Sequence, residues 1–326
     1  MAVPSGALRF NSDSRKLEYY NGEAWWQIDS FTPDSATGGA RGVFATGNPS
    51  TDTINYVTIS TTGNAIDFGD LSLARRTLNS CSSSTRGVFA GGRGGPSPSF
   101  SNVVDYITIS STGNATNYGD GLTNGLRAPF GLSNSTRGIF GGGYAPTFLS
   151  LMEYTTISSL SAFQDFGNLQ TAARFMSGCN SSTRGLISCC GPASERIDFV
   201  TISTLGNSST FGNLTQSRID AVALSNSVRG IFAGGGAPTI YNIIEYVTIS
   251  TTGNSIDFGD LSSPRQGMGA AESSTRGVFG GGYAVPLNTN IIEYVTIMST
   301  GNAVDFGDLL VVSYEGTGLS NGHGGL

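Results

Sequence analysis

A block of about 47 residues recurs six times along this chain and accounts for nearly all of its 326 residues. Its landmark is an Arg-Gly pair followed by an apolar residue, at Arg41, Arg86, Arg137, Arg184, Arg229 and Arg276, with spacings between 45 and 51 residues. Each arginine is followed by a segment centred on Tyr or Phe, then a Gly-Asn type of turn, then Phe-Gly-Asp or a close variant. A period of this size marks a β-propeller or a solenoid. The length alone would suggest two domains. The repeat overrides that prior and argues for one closed array over residues 1–326. Residues that recur with the repeat serve the architecture first.

The block around Arg276 shows the strands. Residues 267–272 are small and mixed, suited to a crowded inner strand, a. Arg-Gly-Val-Phe-Gly-Gly-Gly at 276–282 is a short apolar strand, b, ended by glycines. After a variable loop, Ile-Ile-Glu-Tyr-Val-Thr-Ile at 291–297 is rich in β-branched and aromatic residues and reads as strand c. Ser-Thr-Gly-Asn at 299–302 is a hairpin turn in which glycine can take positive φ. Ala-Val-Asp-Phe-Gly-Asp at 303–308 is strand d. On strand c, Ile292, Tyr294 and Thr296 share one face and Glu293, Val295 and Ile297 the other. Both faces are partly apolar, as a sheet flanked on both sides requires. Radially packed four-stranded antiparallel blades supply such neighbours, so the fold class is all-β, a β-propeller.

This order of strands resembles the kelch repeat over residues 31–326. The doubled glycines stand at Gly91-Gly92, Gly141-Gly142, Gly234-Gly235 and Gly280-Gly281, and the tyrosine at Tyr56, Tyr106, Tyr154, Tyr246 and Tyr294, with Phe199 in the degenerate repeat. Where kelch repeats carry Trp, this chain has Phe68, Tyr118, Phe166, Phe211, Phe258 and Phe306, which makes it kelch-like. Six repeats occupy residues 31–310. The tail, 311–326, resembles Gly-Leu-Ser-Asn-Ser-Thr-Arg-Gly at 131–138, with His323 in the arginine place, and reads as strand a of another blade. The head, 1–30, supplies candidate strands b to d, with Asn21-Gly22 as a two-residue hairpin turn. The expectation is seven blades, the last closed by both termini, which removes exposed strand edges. The alternative is six blades plus an N-terminal hairpin.

Composition narrows the function. Lys16 is the only lysine and the formal net charge is −6, whereas nucleic-acid binders carry a basic face; no nucleic-acid partner is expected. The amino terminus has no basic region followed by an apolar run, so no secretory signal is expected. No stretch of 18 apolar residues would insert in a membrane. Cys81, Cys179, Cys189 and Cys190 form no disulfide framework. No metal or cofactor is expected, because the Asp-Phe-Gly-Asp tetrads read as turn formers rather than as calcium ligands.

In an up-and-down blade the a–b and c–d turns share one rim, and the b–c and d–a connections the other. The first rim repeats Ser-Ser-Thr-Arg-Gly and Ser-Thr-Gly-Asn; the second differs at every blade. Loops on a rigid scaffold are where function usually sits. Aromatic residues in such loops bind at low entropic cost. The candidate binding residues are therefore Phe100, Tyr144, Phe148, Tyr241 and Tyr283. Arginines recur before strand a at Arg76, Arg127, Arg174, Arg218 and Arg265. They can form inter-blade salt bridges or bind an anion in the central funnel.

No constellation asks for catalysis. His323 is the only histidine, so a Ser-His-Asp centre would depend on the tail. No catalytic residues are assigned. The head, with Gly-Ala-Leu-Arg-Phe-Asn at 6–11 and Leu-Glu-Tyr-Tyr-Asn-Gly at 17–22, resembles an element of structural and tail-fibre proteins of tailed bacteriophages, notably cyanophages. Those proteins also carry kelch-like arrays with Thr-Ile-Ser-Thr-Thr-Gly-Asn and Phe-Gly-Asp-Leu. The resemblance implies a virion structural protein, assembled in the host cytoplasm, that displays a propeller toward host-surface glycan or other virion proteins. The other functional classes are an intracellular kelch-type protein–protein adaptor and a carbohydrate-active enzyme.

Overall fold

The computed structural model describes residues 3–11, 16–27, 40–45, 47–94, 100–119, 121–188, 194–236 and 238–326. Among them there is no helix, and the chain divides into two compact units, residues 1–37 and 38–326.

The first unit holds an antiparallel sheet of β1 (Leu8–Asn11), β2 (Lys16–Tyr20) and β3 (Trp25–Gln27), in that order. The register sets Leu8, Tyr19 and Trp26 in one row across it. In the alternate row Arg9 donates to Glu18 at 2.8 Å and its guanidinium lies 4.2 Å over the Trp25 ring. The β2–β3 loop is four residues long, not the expected two. Tyr20 pairs with Trp25, and Asn21 Oδ1 accepts the amides of Glu23 and Ala24 at 2.8 Å each.

The second unit contains five four-stranded antiparallel sheets and one of five strands, an arrangement compatible with a propeller. The first contains β4 (Arg41–Ala45), β5 (Thr53–Thr58) and β6 (Ile66–Asp70). The second is β7 (Asn79–Ser82), β8 (Arg86–Ala90), β9 (Val104–Thr108) and β10 (Thr116–Asn117). The third is β11 (Phe130–Ser133), β12 (Arg137–Gly141), β13 (Leu151–Thr156) and β14 (Gln164–Asn168). The fourth is β15 (Ser177–Asn180), β16 (Arg184–Ser188), β17 (Ser194–Thr201) and β18 (Ser209–Arg218). The fifth is β19 (Val222–Ser225), β20 (Arg229–Ala233), β21 (Ile243–Thr248) and β22 (Ile256–Asp260). The sixth is β23 (Gly269–Glu272), β24 (Arg276–Gly280), β26 (Leu287–Thr296) and β27 (Val304–Ser313), with the short β25 (Tyr283–Ala284) hairpinned onto β26. The last strand, β28 (Thr317–Ser320), pairs with β4 and completes the first sheet.

That pairing corrects the expected closure. The tail joins β4, while β1, β2 and β3 pair with one another in a sheet of their own. One hydrogen bond beside the ladder repeats the pattern of the other sheets. Asn321 Oδ1 accepts the amide of Arg41 at 2.8 Å, as Asn134 and Asn226 accept those of Arg137 and Arg229, also at 2.8 Å, three residues along. The tail is the inner strand of the first repeat, carried at the opposite end of the chain.

The repeat residues bind each sheet to the next. Arg41, Arg86, Arg137, Arg184 and Arg229 donate from Nη1 to the carbonyls of Ile109, Ile157, Ile202, Ile249 and Ile297, each on the following sheet, at 2.7–3.0 Å. Arg276 donates to Ile59 of the first sheet at 3.0 Å. Each guanidinium also lies 4.0–4.9 Å over the aromatic ring of its own strand c, from Tyr56 to Tyr294. Those rings in turn meet the strand-d aromatic edge-on, as in Tyr246–Phe258 at 6.1 Å. Between consecutive sheets lie six apolar clusters. One joins Ile54 and Phe68 to Phe89 and Ile107, and another joins Phe44 to Val278 and Phe306. Burying one such side chain is worth about 1.5–3 kcal/mol.

On the outer strands, Gly113, Gly206, Gly253, Gly301 and Gly63 donate to Phe68, Phe166, Phe211, Phe258 and Phe306 of the preceding sheet at 2.7–2.9 Å. A Cβ on Gly259 (φ +149°) would lie 2.4 Å from the carbonyl oxygen of Gly301, so Phe-Gly-Asp and Gly-Asn are two halves of one contact. The junction between the second and third sheets departs from the rule. There Tyr118 replaces Phe, its hydroxyl sits 2.5 Å from Thr155 Oγ1, and Phe163 packs on it at 5.7 Å.

Candidate functional site

The inner strands approach the axis through one residue each with left-handed φ: Thr77, Ala128, Phe175, Asp220, Gly267 and Glu315, at +53° to +64°. Their amides form a circle. Thr77 donates to Glu315, Glu315 to Gly267, Gly267 to Asp220, Asp220 to Phe175, Phe175 to Ala128 and Ala128 to Thr77, at 2.7–3.2 Å. All six residues line a cavity of ≈ 110 Å³, together with residues of the inner strands. Small-molecule sites usually measure about 300–1,000 Å³, so the cavity has room for a few waters but not for a saccharide.

The tail residue His323 also lines this cavity. His323 Nδ1 accepts the amide of Gly325 at 3.1 Å, which leaves Nε2 to donate to the Ser82 carbonyl at 2.8 Å. Burial pulls this neutral imidazole down to about 4. Burial likewise pushes the carboxyl of Glu272 up to about 8 and that of Asp220 up to about 7, the latter aided by the charge of Glu315. Cys81 and Cys179 are buried free thiols raised by desolvation, as structural cysteines are. Cys189 and Cys190 lie outside the described residues. Among the described residues, no three His, Cys, Asp or Glu side chains are placed to hold a metal ion.

The arginines grouped together in the sequence separate into two sets. Arg75, Arg218 and Arg265 are fully buried and pair with Asp105, Glu245 and Glu293 on strand c of the sheet that follows in the chain. Arg76, Arg127 and Arg174 stand one residue closer to the axis ring. Sequence spacing missed this split, because the adjacent Arg75 and Arg76 look interchangeable; only Asp105 on β9 distinguishes them.

Three of the five candidate aromatics come together beside this second set. Tyr144 lies 5.6 Å from Phe100 and 5.6 Å from Phe148, centroid to centroid. The Tyr144 backbone is locked to Arg127, amide to carbonyl in both directions, at 3.0 and 3.1 Å. Arg127 lies 4.8 Å from the Tyr144 ring, and Arg174 lies 5.4 Å from Tyr144, 5.4 Å from Phe148 and 4.8 Å from Phe175. Phe148 keeps 40% of its surface exposed. The other two candidates lie apart from this cluster. Tyr283 packs on Tyr314 at 5.7 Å, and the Tyr241 amide donates to the Gly235 carbonyl at 2.8 Å. Arg127, Arg174 and Phe175 belong to the cluster and were not singled out as an aromatic–cationic group by sequence.

Comparison with protein-family models and with curated proteins finds no match to this chain.

Proposed function

We propose that the protein is a recognition module built on a six-bladed β-propeller, carried by a bacteriophage particle, that binds host-surface glycan at its variable rim. The circle of backbone bonds through Thr77, Ala128, Phe175, Asp220, Gly267 and Glu315 supports six blades closed by the tail. The virion assignment rests on the resemblance of the head and of the repeats to phage structural proteins. One observation carries the binding reading: Phe100, Tyr144 and Phe148, from two different b–c loops, converge into a single partly exposed aromatic surface. Aromatic faces stack on sugar rings, and rigid loops lose little entropy on binding.

The test is a glycan-array and host-cell binding assay of the whole chain beside Phe148→Ala and Tyr283→Ala. Saturable binding lost in Phe148→Ala and kept in Tyr283→Ala is expected. Binding that survives Phe148→Ala moves recognition elsewhere. Detection of the chain in purified virions checks the assignment to the particle.

A further inference from the structure

We infer that the rim cluster takes an acidic ligand, a saccharide bearing carboxylates, held by Arg127 and Arg174 against the Tyr144 and Phe148 rings. This deepens the glycan reading and depends on it.

The repeat does not require these arginines. The residue just before the left-handed position is Arg76, Arg127 and Arg174 on three consecutive sheets, but Ile219, Gln266 and Tyr314 on the other three. The architecture therefore tolerates neutral side chains there. The structural work is done one residue earlier, where Arg75, Arg218 and Arg265 are buried against carboxylates. In the third and fourth sheets that earlier position is Leu126 and Ala173. Arg127 and Arg174 are thus not displaced members of the buried set.

Their charge is shared with Arg76 and Arg93 over one carboxylate, Glu315. Among the described residues, Arg127 and Arg174 make no ion pair and no guanidinium hydrogen bond. Arg76 lies 3.6 Å from Glu315, the nearest acid. Arg127 Nε is shielded from water without a partner, and an unmet buried donor is costly unless a ligand supplies the acceptor. Desolvation, with the charges of Arg174 and Arg93, lowers the proton affinity of Arg127. These are the conditions that an incoming anion relieves.

The chain as a whole carries a net charge of −6, which repels an acidic polymer at long range. Four arginines, at 76, 93, 127 and 174, act on one carboxylate, Glu315, and reverse the sign locally. A guanidinium fork matches a carboxylate, and the aromatic faces beside it accept the sugar ring. Neutral glycan would use the aromatic surface and leave both guanidiniums unpaired.

The experiment compares matched neutral and carboxylated saccharides on one array, with the whole chain, Arg127→Gln, Arg174→Gln and Phe148→Ala, at low and high salt. Near-ultraviolet circular dichroism confirms that each variant keeps its packing. We expect carboxylated saccharides to bind and their neutral forms to bind at least roughly tenfold more weakly. Each Arg→Gln variant should lose roughly ten- to a hundredfold, and salt should weaken the binding. Equal binding of neutral and acidic forms, abolished only by Phe148→Ala, overturns the acidic ligand and leaves the glycan reading standing. No binding to either form overturns both.

Discussion

Gly259 illustrates how single residues hold this protein. Its φ of +149° and the Gly301 carbonyl 2.4 Å from a would-be Cβ exclude any side chain, whereas Gly253 has open space around it. Gly259→Ala should cost about 3 kcal/mol or more, and Gly253→Ala should stay within about 0.5 kcal/mol; denaturant midpoints measure both. The Arg75–Asp105 pair, 2.9 Å apart and with both side chains wholly buried, makes a second test. Asp105→Asn strands a buried guanidinium and should cost about 3–5 kcal/mol. Replacing both partners together with Arg75→Met and Asp105→Leu should recover most of that loss, because the desolvation cost of two ions disappears with them.

At the scale of elements, β28 is the strand to test. It gives β4 its inner neighbour, and Asn321 caps Arg41 from 280 residues away. Removing residues 317–326 exposes one edge of β4 and should lower the unfolding midpoint and promote aggregation through that edge. Size-exclusion chromatography and thermal unfolding read this out. Deleting residues 1–37 should instead leave the midpoint of the remaining unit within a degree or two, because among the described residues no sheet of residues 38–326 borrows a strand from the head. A large fall in midpoint would show that the head is an integral part of the array.

For the whole molecule, the buried groups along the axis set the dependence of stability on pH. Asp220 at about 7 and Glu272 at about 8 lie above their unfolded values. Their stabilising contribution is complete below about pH 4 and is lost as pH rises through 7 and 8. His323 at about 4 lies below its unfolded value. Its contribution is present above about pH 6.5 and is lost as pH falls toward 4. Between pH 6.5 and 8 the His323 imidazole is neutral in both states while these two carboxyls lose their protons, so the midpoint should fall with rising pH. The Asp220→Asn, Glu272→Gln double variant should flatten that slope; an unchanged slope would place the titrating groups elsewhere.

Much of this was legible in the chain. The 47-residue period, the four strands per repeat and the role of Arg276, Tyr294 and Phe306 as recurring structural residues follow from periodicity and residue type, because each is a local property repeated six times. The aromatic loop residues Phe100, Tyr144 and Phe148 were visible as departures from that repetition. The partner of the tail was not. Leu319 and Asn321 look like inner-strand sequence wherever the chain runs, and pairing over 280 residues is decided by which sheet lacks a neighbour. Nor could spacing separate Arg75 from Arg76. One is neutralised by Asp105 in the interior and the other stands at the rim. Charge compensation depends on side-chain distance in space, and only the tertiary structure brings an arginine and its carboxylate within reach or leaves Arg127 and Arg174 outside ion-pair distance of Glu315.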